Sequence, residues 1–341
     1  MGQRIDYIDL AKGICILLVA FQHGSSHFMD EDRHLLVAMS SFRMPLYFFL
    51  SGLFFKLYEN YCGFLKRKVN KLLIPFLFWH ILSCFLIPIM HKSAIDWSSF
   101  YEVFITSGYP NGPLWFLLCL FWSNQIFYAI HKAASYTNQP LLWIIVGSTV
   151  LGLAGFYMGG TSYEFRLMNI DTALTSLPFF CGGYICRKYT NMLHPNAKDR
   201  YLLPAAIVFA LYTYFVTTGK THYIVNRYDT NLWVTYSCGF SGIFFVLAVS
   251  KMLGRVPIVS YFGRYSIMIL VTHILLIDRF VPVIYRLGLT QWWLSSLLLL
   301  GGISVLYLGL IPLMKRWLPY VTAQKDVIII DRIDKGQVDE R

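Results

Sequence analysis

The chain has 341 residues, 56% of them hydrophobic and 17% aromatic, with Asp, Glu, Lys and Arg at only 14%, where a soluble domain carries about 25% charged residues. Apolar runs of helix-spanning length recur along it, which excludes a disordered, fibrous or soluble protein and implies a polytopic membrane chain. The net charge of +11 lies between the apolar runs, where membrane topology demands it, so nucleic acid is discounted as a partner.

Windows of about 20 apolar residues predict an all-α bundle of ten transmembrane helices, at 8–28, 35–57, 69–90, 112–132, 140–158, 168–188, 201–218, 231–251, 264–284 and 290–317. Most Lys and Arg then fall on one side, which the positive-inside rule makes cytoplasmic, together with both termini. The first apolar run follows Arg4, Asp6, Asp9 and Lys12 without a small-residue cleavage site, so it is read as a retained helix. No loop is long enough for a separate domain and no internal repeat is visible. The chain divides into a transmembrane domain over 1–318 and a cytoplasmic tail over 319–341, whose Val327–Ile330 run reads as a docked strand or a mobile end. Seven cysteines, mostly inside spans and without a CxxC pair, read as small apolar filler.

A charge inside a span costs at least a few kcal/mol, so each one is a functional candidate. The first helix carries Asp9, Lys12 and His23. Eleven steps of about 100° bring Lys12 and His23 onto one face, ~16 Å apart along the axis. That face lines a cavity or a polar partner; alternatively Lys12 snorkels and a carbonyl satisfies His23. His27, one turn on, completes an i, i+4 pair, but with no HExxH and no third ligand no metal is expected. Arg43 in the second helix is expected at a depth similar to His23, where a fixed cation beside a proton acceptor suits deprotonation of a nucleophile; the alternative is snorkelling to the outer interface. Ser51-Gly52 reads as close helix packing.

Lys66-Arg67-Lys68-Val-Asn-Lys71 opens the third helix. Topology alone explains such a cluster, while Lys68 and Lys71 at i, i+3 form a cationic edge suited to phosphates. Trp115, in Asn111-Gly-Pro-Leu-Trp-Phe-Leu117, reads as an interfacial anchor or a cavity wall. Gly263-Arg-Tyr-Ser-Ile-Met-Ile-Leu-Val-Thr-His273 puts Arg264 at the cytoplasmic mouth and His273 inside the ninth helix, as a core histidine or a second proton-handling group. Asp278 either orients His23 or pairs with Arg279. On the outer side Trp97, Tyr101, Tyr109, Tyr163, Glu164, Arg166 and Asp171 offer aromatic faces and polar groups.

Together these segments resemble acyltransferase family 3, the integral membrane O-acyltransferases of bacterial surface glycans. The resemblance is carried by Ile5-Asp-Tyr-Ile-Asp-Leu-Ala-Lys-Gly13 with His23, by Met44-Pro45 through Ser51-Gly52, by Lys68-Val-Asn-Lys71 with Pro75, by Gly112 to Leu117, by Pro178-Phe-Phe-Cys-Gly-Gly-Tyr184 and by Gly263 to His273. The order is the family's, although lysine stands at both positions of its paired-arginine motif and lacks the bidentate fork.

The resemblance implies a ten-helix membrane enzyme of the bacterial cytoplasmic membrane. It would take acetyl-coenzyme A, or another acyl-coenzyme A, from the cytoplasm and acylate a hydroxyl of an extracytoplasmic glycan or lipid-linked sugar. It implies His23 as base, Lys12 on the cofactor pathway and Lys68 and Lys71 on coenzyme phosphates. Arg264 and Arg67 are added to the phosphate site and Arg43 to the oxyanion; Trp115, Glu164, Arg166, Asp171, His273 and Asp278 are candidates toward the acceptor. The rivals are a transporter or flippase, since intramembrane Arg and His also mark substrate paths, and a non-catalytic partner in polysaccharide synthesis.

Overall fold

The computed structural model describes residues 5–29, 33–58, 60–105, 108–159, 167–194 and 197–329, with backbone alone at 197 and 198. The fold is all-α. In chain order the helices are α1 (Asp6–Ser25), α2 (His34–Leu53), α3 (Tyr61–Lys68), α4 (Ile74–His91), α5 (Ser99–Glu102), α6 (Trp115–Ala134), α7 (Pro140–Gly159), α8 (Ile170–Thr175), α9 (Leu177–Tyr189), α10 (Leu203–Val216), α11 (Leu232–Leu253), α12 (Pro257–Arg264), α13 (Ser266–Tyr285) and α14 (Trp292–Trp317). Each of the ten expected spans is helical, and eight are long and apolar enough to cross a membrane.

The departures have local causes. The third span runs from Tyr61 to His91, longer than its apolar window because Asn60 caps it, its Oδ1 accepting from Gly63 N–H at 2.7 Å. Between α3 and α4 lies a π turn, Val69–Leu73, closed by Ile74 N–H donating to Val69 C=O. Pro75 follows it at the start of α4; its ring would meet the Lys71 carbonyl in a regular helix, and the wider turn relieves that. The sixth span is broken at Ser176 into α8 and α9, where Pro178 has no N–H for the Leu174 carbonyl. At 14 residues α10 is ~21 Å long, short of a hydrocarbon core of about 30 Å. The helix α12 was not foreseen as a separate element.

The chain forms two compact units: residues 1–47, 191–222 and 228–313, and residues 48–190, 223–227 and 314–341. In the first, α1 packs against α11, α12 and α13, and α10 packs against α11. The α1–α12 crossing is glycine-made: a Cβ on Gly13 would sit 1.9 Å from the Val259 carbonyl oxygen, and one on Gly263 would sit 1.8 Å from that of Asp9. Small residues let the backbones touch, and in a membrane this close packing supplies much of helix association.

In the second unit α6, α7, α8 and α9 pack together, with α3 and the π turn on α6. Its aromatic core joins Phe55, Phe64, Phe127, Phe180 and Tyr184. Gly52 and Gly183 lock the end of α2 to α9: a Cβ would lie 1.8 Å from the Phe180 oxygen at Gly52 and 1.9 Å from the Phe49 oxygen at Gly183. Ser51 Oγ accepts from Asn124 Nδ2 at 3.3 Å, so Ser51-Gly52 is a packing element.

Gly263→Ala or Gly13→Ala should cost about 1–3 kcal/mol by forcing α1 from α12. By contrast, Gly302→Ala on α14, where a Cβ meets nothing within 4 Å, should be neutral or stabilise by up to about 1 kcal/mol. Thermal unfolding of the detergent-solubilised variants checks both; equal behaviour of the two classes refutes the packing account.

Candidate active site

His23 lies in the last turn of α1 and is partly exposed. His273, two turns into α13, is fully buried. The two rings are adjacent, with centroids 5.3 Å apart and planes inclined by 49°. His273 Nδ1 lies 2.9 Å from the Ile269 carbonyl. A carbonyl only accepts, so Nδ1 carries the proton and Nε2 presents its lone pair. That buried Nε2 has no hydrogen-bond partner among the described residues. Beside it, Thr272 Oγ1 donates to the Met268 carbonyl at 2.7 Å and meets Tyr307 Oη at 2.9 Å.

Arg43 is held in register with α1. Cys15 Sγ donates to the Arg43 carbonyl at 2.8 Å and Tyr47 Oη to the Lys12 carbonyl at 3.1 Å, so the helices run antiparallel with Arg43 opposite Cys15. The Arg43 backbone therefore stands eight residues, ~12 Å, from the level of His23, which corrects the expectation of similar depth. The side chain recovers part of that rise: it is buried, and Nε donates back one turn to the Met39 carbonyl at 3.1 Å. The titratable groups acting electrostatically on His23 are His273, Arg43, His27 and Lys220.

Lys220 is the member of this group that sequence reasoning missed. It follows α10 in a segment anchored to α2 by Thr221, whose N–H and Oγ1 donate to Ser40 Oγ at 3.2 and 3.1 Å. A lone lysine in an outer loop carries no signal of its own; only the docking of that loop brings it within range. Asp278 faces His27, with Oδ1 4.0 Å from its Nε2. Tyr285 Oη also donates to the His27 carbonyl. Among the described residues no three His, Cys, Asp or Glu side chains converge as a metal site would require.

Of the basic candidates in this unit, Lys12 is partly exposed on α1, and Arg264 is exposed at the end of α12 with its guanidinium 5.4 Å from the Tyr265 ring. In the other unit, Lys68 Nζ lies 5.3 Å from the Phe64 ring centroid and the Arg67 guanidinium 4.3 Å from that of Tyr58. Lys71 is engaged by the tail: Nζ donates to the Ala323 carbonyl at 2.8 Å and pairs with Asp326 at 2.9 Å. The Val327 end of the tail is docked by the buried Asn70, whose Oδ1 accepts from the Val327 and Ile328 N–H groups at 3.0 and 2.8 Å while Nδ2 donates to the Ile328 carbonyl at 2.9 Å. Trp79 Nε1 donates to the Val321 carbonyl at 3.0 Å.

Toward the outer side of this unit, Trp115 is buried at the start of α6 against Phe116 and is not an interfacial anchor. Asp171 sits in the first turn of α8. Burial holds the Tyr109 phenol above its usual range, with Cys119 and Asp171 adding to it; neutral, its hydroxyl donates to Asn169 Oδ1. Asn169 Nδ2 in turn donates to the Ile224 carbonyl at 2.9 Å, and Asn111 Nδ2 to Ser83 Oγ at 3.3 Å. Asn169 and Ser83 were not foreseen in this polar network. Glu164 and Arg166, with Tyr163, lie outside the described residues.

A family model described as an acyltransferase domain, that of acyltransferase family 3, matches residues 5–314. No curated protein and no solved structure matches the chain.

The docked segment 321–328 lies beyond the family match and rests on Asn70. Asn70→Ala removes three hydrogen bonds from a buried position, at about 0.5–1.5 kcal/mol each. Limited proteolysis should then cleave the tail faster than in the wild type, with α3 to α9 intact; unchanged protection would refute the role given to Asn70.

Proposed function

The chain belongs to acyltransferase family 3, is a membrane acyltransferase, and on that premise we propose that it moves an acyl group from cytoplasmic acyl-coenzyme A to a hydroxyl of an extracytoplasmic carbohydrate, with His23 as general base. The observation that carries this reading is the pair His23 and His273, two histidines in ring contact inside apolar helices with Arg43 and Lys220 in electrostatic range. Buried polar groups are expensive in a bilayer, and a histidine pair with one lone pair unsatisfied is what proton transfer uses.

In the proposed reaction a ring nitrogen of His23 takes the proton of the acceptor hydroxyl as its oxygen attacks the thioester carbonyl. The carbon–sulfur bond breaks, the ester forms, and the proton returns to the coenzyme thiolate, which leaves as the thiol. Arg43 stabilises the developing oxyanion; only its Nε is committed to Met39, and its terminal nitrogens make no hydrogen bond among the described residues. His273 acts as a positioning residue, because the carbonyl of Ile269 fixes which of its nitrogens accepts. For the donor, acetyl-coenzyme A is proposed, with its phosphates on Lys68 and Lys71 beside Arg67, and with Lys12 and Arg264 as further basic groups of the cofactor pathway. For the acceptor, Trp115 and Asp171 are proposed, with Asp278, Glu164 and Arg166. No step in this chemistry calls for a metal, and the bacterial cytoplasmic membrane is the proposed location.

The test is acetyl-coenzyme A binding and slow hydrolysis by the protein in nanodiscs. His23→Ala should lower turnover by about 10²–10⁴-fold with binding retained. His273→Gln should lower turnover with less effect on binding and displace the pH profile, which a purely structural loss would not do. If the folded wild type neither binds nor cleaves any acyl-coenzyme A, the transporter reading replaces this one, and glycan flux across vesicles becomes its assay.

A further inference from the structure

Lys71 belongs to the motif assigned above to coenzyme phosphates, yet it is already occupied by the chain's own tail. Its ammonium holds the Asp326 carboxylate at 2.9 Å and the Ala323 carbonyl at 2.8 Å, the partners and distances that a phosphate oxygen would use. We infer that Asp326 stands in for a donor phosphate on Lys71, and that the segment 321–328 is a displaceable gate which sets the affinity for acyl-coenzyme A.

Two kinds of attachment are separated along this segment. At its Val327 end the clasp is dry: Asn70, 1% exposed, reads both faces of the backbone like a neighbouring strand, accepting from two N–H groups and donating to one carbonyl. At its Val321 end the buried Trp79 holds the carbonyl. Between these anchors, Gln324 and Lys325 N–H groups both donate to the Pro319 carbonyl at 2.9 Å, which turns the chain and brings Asp326 back onto Lys71.

The ion pair itself is open, with side chains 45% and 39% exposed. An exposed carboxylate pair is exchangeable, whereas the buried clasp is not. A phosphate monoester carries up to about two negative charges against one on Asp326, so the donor can take Lys71 while Asn70 keeps the segment tethered beside it. The segment lies beyond residue 314, where the family match ends.

The inference rests on the donor reading given above, and the experiment separates the two. Acetyl-coenzyme A binding is measured by calorimetry in nanodiscs for the wild type, Asp326→Asn, Lys71→Met and the double variant, at low and at high ionic strength. Asp326→Asn should tighten Kd about two- to fivefold, the worth of one exposed ion pair. The gain should shrink at high salt and vanish in the Lys71→Met background. Unchanged or weaker binding in Asp326→Asn, or an equal gain without Lys71, overturns the gate while leaving the donor reading standing. A wild type that binds no acetyl-coenzyme A overturns both. Asp326 is exposed in a docked tail, and the unfolding temperature of each variant identifies any loss that comes from misfolding.

Discussion

The close approach of α1 to α12 is the constraint on which the first unit depends. Gly13 and Gly263 leave no room for a Cβ against the facing backbone, so the polar stripe of α1 is held at a fixed height and rotation. From that placement the rest follows by helix geometry. Cys15 meets the Arg43 carbonyl, Tyr47 meets that of Lys12, and His23 in the last turn meets His273 of α13. In a bilayer the stripe cannot be solvated from the lipid side, so its partners must come from neighbouring helices. The glycines of α1 and α12 therefore position the proposed catalytic groups without touching them.

The second unit applies the same physics to a different end. Its aromatic core and the Gly52 and Gly183 contacts are mainly apolar packing, with Asn124 bonded to Ser51 and His131 to Tyr184 inside it, and two further polar clusters form around irregular backbone. In one, Pro75 forces a π turn that places Asn70 and Lys71 against the tail. In the other, Tyr109 and Asn169 form a network around loop backbone, with Asp171 in electrostatic range. Irregular backbone in both places supplies hydrogen-bonding groups that regular helices keep for themselves.

The proposed donor is highly charged, and the gate inferred on Lys71 acts on that charge. The proposed proton chemistry needs a fixed tautomer, which the fully buried His273 has through the Ile269 carbonyl.

How much of this was legible beforehand follows from the range of each signal. Hydrophobic run length placed all ten helical segments, because bilayer thickness is an external ruler. The Lys12 to His23 stripe was legible because helical periodicity is local, and the family resemblance from Ile5 to His273 was legible because its motifs are contiguous. The extra helix α12 and the break at Ser176 were not: one is too short for an apolar window, and the other turns on a single proline. Depth was misjudged for Arg43 because counting from Lys56 assumes a common starting level for two helices, while their register is fixed by side-chain contacts such as Cys15 to Arg43. Lys220 came to His23 through a hydrogen bond between Ser40 and Thr221, and Asp278 came to face His27. Lys71 found Asp326 across most of the chain. Composition and periodicity by themselves determined the membrane, the helices and the polar face of α1, since those obey short-range rules. Which charges meet was decided by the tertiary structure alone, because pairing depends on the register and rotation of helices far apart in sequence.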